Sequence, residues 1–235
     1  MITLAFDGTA KIASVAVVDG ERTLSSFTVD NGLTQSELLL PMAEDMLKAL
    51  KLSFNDIELY AVSVGPGSFT GVRIGVSLVK GLAFGKNKPC AEVSTIEALS
   101  ENMKGLSGIL VPCMDARRSQ VYNAIFRSDG ENIERLTEDR AIALTELAKE
   151  LKKFENEKIY LSGDGYEVAK EVLSSLGVTL ESTPHLLIGE SAVSVARVGI
   201  RKFLAGEYKS DSELSPVYLR LPQAERERLE REKKV

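Results

Sequence analysis

At 235 residues, with two cysteines and a formal net charge of −5, the chain can bury roughly 70% of its unfolded surface and needs no disulfide framework to fold. The acidic balance excludes a chain-wide field that would attract nucleic acid, so a role near RNA requires a local patch or a partner. No stretch approaches the ~18 uncharged apolar residues of a membrane helix, and the first residues lack a signal-peptide pattern, so we expect a cytoplasmic protein without membrane contact.

The first half of the chain changes between strand and helix patterns in the order βββαβαβα. Short DG-containing turns separate the three opening strands, which is typical of an antiparallel meander. Residues 34–50 place Leu39, Met42 and Met46 on one helical face, with charged residues on the other. The predicted elements are strands at 2–6, 12–18, 23–29, 57–64 and 89–93, and helices at 34–50, at 70–84 and from Ser94 onward.

The second half predicts another lobe of strands followed by helices, beginning after the turn-like segment 104–108. The final residues, 224–235, alternate glutamate with arginine and lysine and predict a solvated helix. We therefore divide the chain into an N-terminal lobe, 1–106, and a C-terminal lobe, 107–235. The predicted elements of the second lobe are strands at 108–113, 120–126 and 158–161, and helices from Thr145, at 166–176 and at 190–204.

A glycine-rich stretch, SVGPGSFTGVRIG at residues 63–75, follows the fourth predicted strand. Its spacing fails the Walker A pattern, because no Lys-Ser/Thr pair follows two glycines separated by four residues. It fails the dinucleotide fingerprint because Gly71 comes one position late. A nucleophile turn would need glycine two residues before and after Ser68, and those positions hold Pro66 and Thr70. The stretch therefore predicts a strand-to-helix turn without chemistry of its own.

The same glycines shape the helix that follows the turn. Gly71 and Gly75 lie one helical turn apart, and glycine costs about 1 kcal/mol relative to alanine inside a helix, so we expect another backbone close to them. That backbone belongs either to the chain's own sheet or to a helix of a partner. Spacing alone favours the chain's own sheet.

Several short sequences, in this order along the chain, resemble the TsaB (YeaZ) family of bacterial proteins. They are DGT at 7–9, SELLLP in the first helix, GPGSFTGVRIG followed by VKGLAFG and VSTIEAL, MDARRSQVYNA, GDG at 163–165 and PVYLR at 216–220. The resemblance implies a two-lobed α/β fold of the actin-like ATPase, acetate and sugar kinase and Hsp70 superfamily. It implies a βββαβα-type sheet with helices in each lobe.

By the same resemblance, the chain is a non-catalytic subunit in tRNA modification. Its implied partners are a TsaD-type catalytic subunit and a TsaE-type ATPase, with tRNA reached through the complex. The TsaD-type subunit transfers the threonylcarbamoyl group from its adenylate to the adenosine beside the anticodon. A homodimer in isolation stays an alternative, because the apolar helices could pair with themselves.

The partner interface is expected on the helices that begin at residues 34 and 70. Apolar side chains of the first helix would anchor the partner, and the glycine face of the second would let it approach closely. We expect Gly75→Leu to abolish complex formation while the isolated chain stays folded. The predicted interface residues are Leu39, Met42, Met46, Ser68, Phe69, Thr70, Gly71, Arg73, Ile74 and Gly75.

A nucleotide site of this superfamily needs a glycine-containing aspartate loop, typically Asp-x-Gly, in each lobe. The first lobe offers Asp7-Gly8-Thr9, but the second offers Asp115-Ala116-Arg117, which puts a Cβ and a guanidinium where bare backbone is needed. We therefore expect no intrinsic cofactor, no metal and no catalytic residue, while ATP or ADP at the partner interface stays open. The residues of this vestigial site are Asp7, Gly8, Thr9, Asp115, Gly163 and Gly165.

Two other functions stay open at this point. An ATP-dependent small-molecule kinase of the same superfamily would use Asp7 and the turn 163–165. A glycoprotease-like peptidase, or an inactive homologue of one, would have Ser68 at the position of the nucleophile. One departure from the family pattern is Gln35, where many relatives have histidine.

Overall fold

The structure, a computed structural model, describes residues 1–220. The charged helix expected at 224–235 lies outside the described residues. Within residues 1–220, no helix combines the length and the apolar character that crossing a bilayer requires.

The first half of the chain forms a five-stranded sheet with crossover helices. Its elements are β1 (Ile2–Asp7), β2 (Ala13–Asp19), β3 (Arg22–Val29), α1 (Gln35–Leu50), β4 (Leu59–Gly65), α2 (Phe69–Ala83), β5 (Cys90–Ser94) and α3 (Thr95–Asn102). The strand order is β3-β2-β1-β4-β5. The first three strands pair antiparallel through short turns, whereas β4 and β5 join in parallel because each follows a helical crossover. The predicted meander is confirmed.

The second half forms another mixed sheet. Its elements are β6 (Ser107–Asp115), β7 (Gln120–Asn123), β8 (Phe126–Asp129), β9 (Ile133–Arg135), β10 (Arg140–Ala143), α4 (Leu144–Leu151), β11 (Ile159–Ser162), α5 (Tyr166–Ser175) and α6 (Ala192–Leu204), with 3-10 turns at Lys152–Phe154 and His185–Leu187. On one side β6 pairs antiparallel with β7 and β8, and it also pairs in parallel with β11.

The predicted strand at 120–126 is wrong in its length, because the chain breaks between β7 and β8. At the break, the Ile125 amide donates to the Thr137 hydroxyl at 2.8 Å instead of continuing the ladder. The next strand is interrupted in the same way, with β9 on β8 and β10 on β7. Counted as interrupted strands, the second sheet repeats the βββαβα plan of the first, and the predicted fold class is confirmed.

The helices and sheets stack in layers with separate apolar cores. Helices α1 and α2 cover the outer face of the first sheet, and α4 and α5 cover the outer face of the second. Between the sheets, α6 packs on the first sheet and α3 packs on the second. The central helical layer therefore joins the two lobes.

Helix α6 corrects the division at residues 106 and 107, because it comes from the second half of the chain but packs on β1, β2, β4 and β5. Helix α6 can approach β4 this closely because Gly199 has no Cβ. A Cβ there would lie only 2.7 Å from the Cβ of Ala61. Residues beyond α6 also return to the first lobe, where Lys209 pairs with Cys90. The first lobe thus consists of two separate stretches of chain.

Candidate functional site

A cleft of about 670 Å³ lies where the loops that follow β1, β4, β6 and β11 come together. In open α/β sheets, crevices at the carboxyl ends of the strands are the usual ligand sites. The two loops predicted as a vestigial nucleotide site, 7–9 and 115–117, both reach this cleft. It is therefore the place to test whether the chain retains nucleotide chemistry.

Asp7 lies at the end of β1 and is almost fully buried. Its Oδ1 accepts hydrogen bonds from the Thr9 amide at 2.9 Å and the Thr9 hydroxyl at 2.6 Å, and its Oδ2 accepts from the Ser63 hydroxyl at 2.7 Å. Burial raises the pKa of Asp7, and the hydrogen bonds from Thr9 and Ser63 partly oppose that rise. Both carboxylate oxygens thus tie strand β4 to the turn after β1.

The loop after β1 is also covered by the glycine-rich turn. The Ser68 amide donates to the Thr9 carbonyl oxygen at 2.6 Å. A Cβ at Gly67 would overlap that same oxygen, and a Cβ at Gly71 would overlap the carbonyl oxygen of Gly8. From the other side, the Gln35 side chain donates to the Ala10 carbonyl at 2.8 Å. Gly67 and Gly71, two glycines of the stretch 63–75, therefore leave the space that the loop after β1 occupies.

The expectation that Gly71 and Gly75 open a face to a partner is therefore wrong. Both residues are buried, and a Cβ at Gly75 would lie 3.4 Å from a methyl group of Val62 in β4. The backbone that approaches this helix belongs to the chain itself. Gly75→Leu would disturb the first lobe directly, so it cannot separate binding from folding.

The three apolar anchors predicted on α1 are also corrected. Leu39, Met42 and Met46 are at most 6% exposed and belong to the core beneath α1 and α2. Helical spacing identified their common face, but a spacing pattern does not tell whether a partner or the chain's own sheet covers it. These side chains stabilise the first lobe.

In the corresponding loop of the second lobe, 115–117, backbone amides donate hydrogen bonds to nearby carboxylates. The Asp115 amide donates to Asp164 Oδ1 at 2.9 Å, and the Arg117 amide donates to Asp115 Oδ1 at 2.7 Å. The backbone at Arg117 has a φ of 62°, a left-handed conformation that favours glycine. This loop therefore carries a bulky side chain into the cleft at a position where bare backbone would be needed.

Gly163 and Gly165 hold the turn after β11 close to the second-lobe loop. The Gly165 amide donates to the Cys113 carbonyl at 3.0 Å, and a Cβ there would lie 2.9 Å from the same oxygen. The Gly163 amide donates to the Ile188 carbonyl at 2.6 Å. Residues 1–220 contain no group of three or more His, Cys, Asp or Glu side chains arranged to share a metal ion.

A surface patch lies at the start of α2, where Phe69, Thr70, Arg73 and Ser77 are exposed around the half-buried Ile74. The Arg73 guanidinium lies 4.8 Å from the centre of the Phe69 ring, within cation–π distance. We call these five residues the α2 patch. Neighbouring Ser68 is exposed as well, and its hydroxyl accepts from the Gly71 amide at 3.3 Å and so caps α2.

Known proteins with similar sequences identify the family of this chain. The family model described as TsaD, tRNA N6-adenosine threonylcarbamoyltransferase, matches residues 34–227. The chain belongs to this family. It is similar to the tRNA threonylcarbamoyladenosine biosynthesis protein TsaB of Bacillus subtilis, with 28% identity over 99% of this chain and all of that protein. TsaB of Escherichia coli is 29% identical over 79% of this chain and 80% of its own length.

A solved structure of YeaZ from Pseudomonas aeruginosa has the same fold as this TsaD-family chain, with a TM-score of 0.74, 22% identity and coverage of 93% of this chain and 99% of that one. The resemblance to TsaB (YeaZ) proteins inferred from the motifs is confirmed. The role in tRNA threonylcarbamoyladenosine biosynthesis is confirmed with it.

One buried carboxyl group in this TsaD-family chain was not singled out from the sequence. Glu190, in the segment that leads into α6, is 4% exposed, and neither of its carboxylate oxygens has a hydrogen-bond partner within residues 1–220. The pKa of Glu190 is raised to about 8; burial is the largest cause, the nearby charges of Asp7 and Asp164 add to it, and the adjacent backbone amides of Glu190 and Asp164 partly oppose it. No motif marks this residue, because an isolated glutamate after a glycine looks like any surface glutamate.

Proposed function

We propose that this chain is a non-catalytic subunit of a tRNA threonylcarbamoyltransferase complex. It binds a TsaD-type subunit, which transfers the threonylcarbamoyl group from its adenylate to the adenosine beside the anticodon, and a TsaE-type ATPase joins them. The observation that carries the proposal is the hydrogen bonding of Asp7, whose two carboxylate oxygens are occupied by Thr9 and Ser63.

A kinase of this superfamily needs acidic oxygens free to reach Mg²⁺ and bare backbone free to reach phosphate. Asp7 would have to lose three hydrogen bonds inside the fold before its carboxylate could bind Mg²⁺. Across the cleft, the carboxylate of Asp115 accepts from the Arg117 amide. These contacts favour a scaffold over the alternative of a small-molecule kinase.

The peptidase alternative is also disfavoured. The Ser68 hydroxyl acts as a helix cap, which is a sufficient structural reason for its presence. The single histidine, His185, begins a 3-10 turn in another part of the chain. A serine nucleophile needs a base within hydrogen-bond reach.

The α2 patch is the surface proposed for the TsaD-type partner. It combines an aromatic ring, an arginine and a half-buried aliphatic side chain, and aromatic and arginine side chains dominate the binding energy of many interfaces. A homodimer in isolation would use the same patch, so the two assemblies would compete. ATP or ADP would then bind at the junction of subunits rather than within this chain.

Reconstitution of the modification reaction tests the proposal. The reaction contains tRNA, the threonylcarbamoyl-adenylate, ATP, and the TsaD-type and TsaE-type proteins from the same organism. We expect modified tRNA only when this chain is added, and we expect Phe69→Ala to reduce the yield at limiting chain concentration. Full activity without the chain would contradict the proposal.

A separate measurement addresses the kinase alternative. Titration calorimetry of the isolated chain with Mg²⁺-ATP is expected to give no heat of binding at millimolar nucleotide. Tight binding that is lost in Asp7→Asn would instead favour an ATP-dependent enzyme. Asp115→Asn serves as the matched change in the second lobe.

A further inference from the structure

The segment Ser215–Arg220 crosses from one lobe to the other beside the cleft. At its beginning, the Ser215 amide donates to Glu92 Oε1 at 2.7 Å, and the Val217 amide donates to the Val64 carbonyl at 2.7 Å. Glu92 belongs to β5 and Val64 to β4, so this end is held by the first sheet. Residues 217–220 then line the cleft itself.

The other end of the segment is held by the second lobe. Arg220 donates through Nη1 to the Ala116 carbonyl at 2.9 Å, directly after β6. Its guanidinium carbon also lies 5.9 Å from the centre of the Tyr122 ring in β7. The span between Val217 and Arg220 therefore connects the carboxyl end of β4 with the carboxyl end of β6.

Two further contacts fix the path of this segment. A Cβ at Gly65 would overlap the Val217 carbonyl oxygen, so the first glycine of the signature makes room for it. The Tyr218 ring stacks on Phe69, with centroids 4.8 Å apart and an interplanar angle of 29°. The segment thus rests on the glycine-rich turn and on the α2 patch.

The lobes are joined differently on their inner side. There α3 and α6 fill the space between the sheets with apolar side chains, including Ile96 and Leu99 of α3 against Leu110 of β6. Such packing keeps neighbouring layers together while allowing small sliding or hinge motions between them. The cleft lies at the carboxyl ends of the strands, where Ser215–Arg220 spans it.

We propose that Ser215–Arg220 is a strap that holds the two lobes in a fixed orientation across the cleft. Tyr218 on Phe69 fastens the strap to the first lobe, and Arg220 on Ala116 fastens it to the second. Release of the Arg220 contact lets the lobes move apart about the α3–α6 layer. Release of the Tyr218 contact loosens the strap, which the backbone hydrogen bonds of Ser215 and Val217 still hold to the first sheet. The proposal concerns the isolated chain and does not depend on its partner.

Interlobe distances measured by pulsed electron paramagnetic resonance test the strap. Spin labels are placed on Lys48→Cys in α1 and Glu171→Cys in α5, both exposed and on the outer helices of different lobes. The native cysteines do not compete, because Cys90 and Cys113 are buried and burial raises the pKa of each thiol to about 12. The full chain is used throughout.

The test compares strap variants with matched controls. Tyr218→Ala and Arg220→Ala remove the two fastening contacts. The first control, Tyr208→Ala, removes a similarly exposed tyrosine that packs on Phe203 within the first lobe. The second control, Arg127→Ala, removes an arginine that pairs with Glu157 and lies over Phe154 within the second lobe.

We expect one distance population in the parent chain and in both controls. In Arg220→Ala, a second population at longer distance should rise to about a tenth or more of the molecules, and in Tyr218→Ala a smaller second population should appear. An unchanged distribution in both strap variants would overturn the proposal. An equal change in the controls would also overturn it, because general loosening and not the strap would then set the distance.

Discussion

Gly65 faces the carbonyl oxygen of Val217 so closely that a Cβ on Gly65 would overlap it. The two residues are far apart in sequence, one at the end of β4 and the other in the strap. Gly65 also has a φ of 117°, which an alanine adopts only with strain. Glycine is therefore required at position 65, the first glycine of the stretch 63–75, because the backbone around Val217 packs directly against it.

We expect Gly65→Ala to lower the free energy of unfolding by about 2–4 kcal/mol, because it combines backbone strain with a clash against the strap. Gly20→Ala is the control, since Gly20 has a φ of 57° but no atom of residues 1–220 lies within 4 Å of an added Cβ. That control should cost only about 1 kcal/mol. Chemical denaturation measures both, and equal losses would show that the contact with Val217 is unimportant.

The second prediction concerns two glycines of the same helix. Gly71→Ala places a Cβ onto the Gly8 carbonyl and should destabilise the chain by more than about 3 kcal/mol. Gly81→Ala meets no atom of the described part of the chain within 4 Å and should stabilise it by about 0.5–1 kcal/mol, because alanine is the better helix former. Thermal unfolding of the two variants reports the difference. A loss of stability in Gly81→Ala would contradict the packing described for α2.

The third prediction concerns the buried Glu190. Its pKa in the folded chain is about 8, above the usual 4.5, so the folded state holds a proton that the unfolded state has released between these values. The stability associated with the neutral carboxyl is therefore fully present below about pH 4.5 and is lost as the pH rises through about 8. Glu190→Gln removes this dependence, because the amide stays neutral.

A displacement of the pKa by one pH unit corresponds to about 1.4 kcal/mol, so the advantage of Glu190→Gln over the parent chain should grow by about 2–4 kcal/mol between about pH 5 and pH 9. Denaturation curves across this range measure it. Glu44→Gln, at an exposed position on α1, controls for the loss of one negative charge. A constant difference between the Glu190 variant and the parent would rule out a buried neutral carboxyl.

The fourth prediction concerns the α2 patch. Phe69→Ala removes an exposed ring that contacts both Arg73 and Tyr218, and it should weaken binding of the TsaD-type subunit at least about tenfold. Phe27→Ala on β3 is the matched control, since Phe27 is 43% exposed and Phe69 is 36% exposed. Binding is measured by surface plasmon resonance with both chains folded. If Phe69→Ala binds the TsaD-type subunit as tightly as the parent chain does, the α2 patch is not part of the interface.

Much of the fold could be predicted from the sequence because its local signals agree. Short DG turns determine the meander, and the amphipathic spacing of Leu39, Met42 and Met46 determines α1. The break between β7 and β8 could not be predicted, because it depends on a hydrogen bond from Ile125 to the distant Thr137. Strands β9 and β10 escaped notice because three or four residues are too few to show an alternating pattern.

The candidate site was predictable in part. The loops at Asp7 and Asp115 were expected together, and both reach the cleft. Which of their atoms are already satisfied depends on Ser63 and Asp164, whose positions only the folded chain reveals. The contact between Tyr218 and Phe69 joins residues that more than half of the chain separates, so no local pattern contains it.

The origin of α6 has a consequence for biosynthesis. The inner face of the first sheet, where Ala5, Ala61 and Ala91 lie, is covered mainly by α6, which is translated after the strands and the other helices of the second lobe; α3 adds Ala98 at its edge. During translation, most of this apolar face of the first lobe therefore stays uncovered until residues 192–204 leave the ribosome. A fragment that stops at residue 106 would lack α6 and keep most of that face exposed, which would make it prone to chaperone binding and proteolysis.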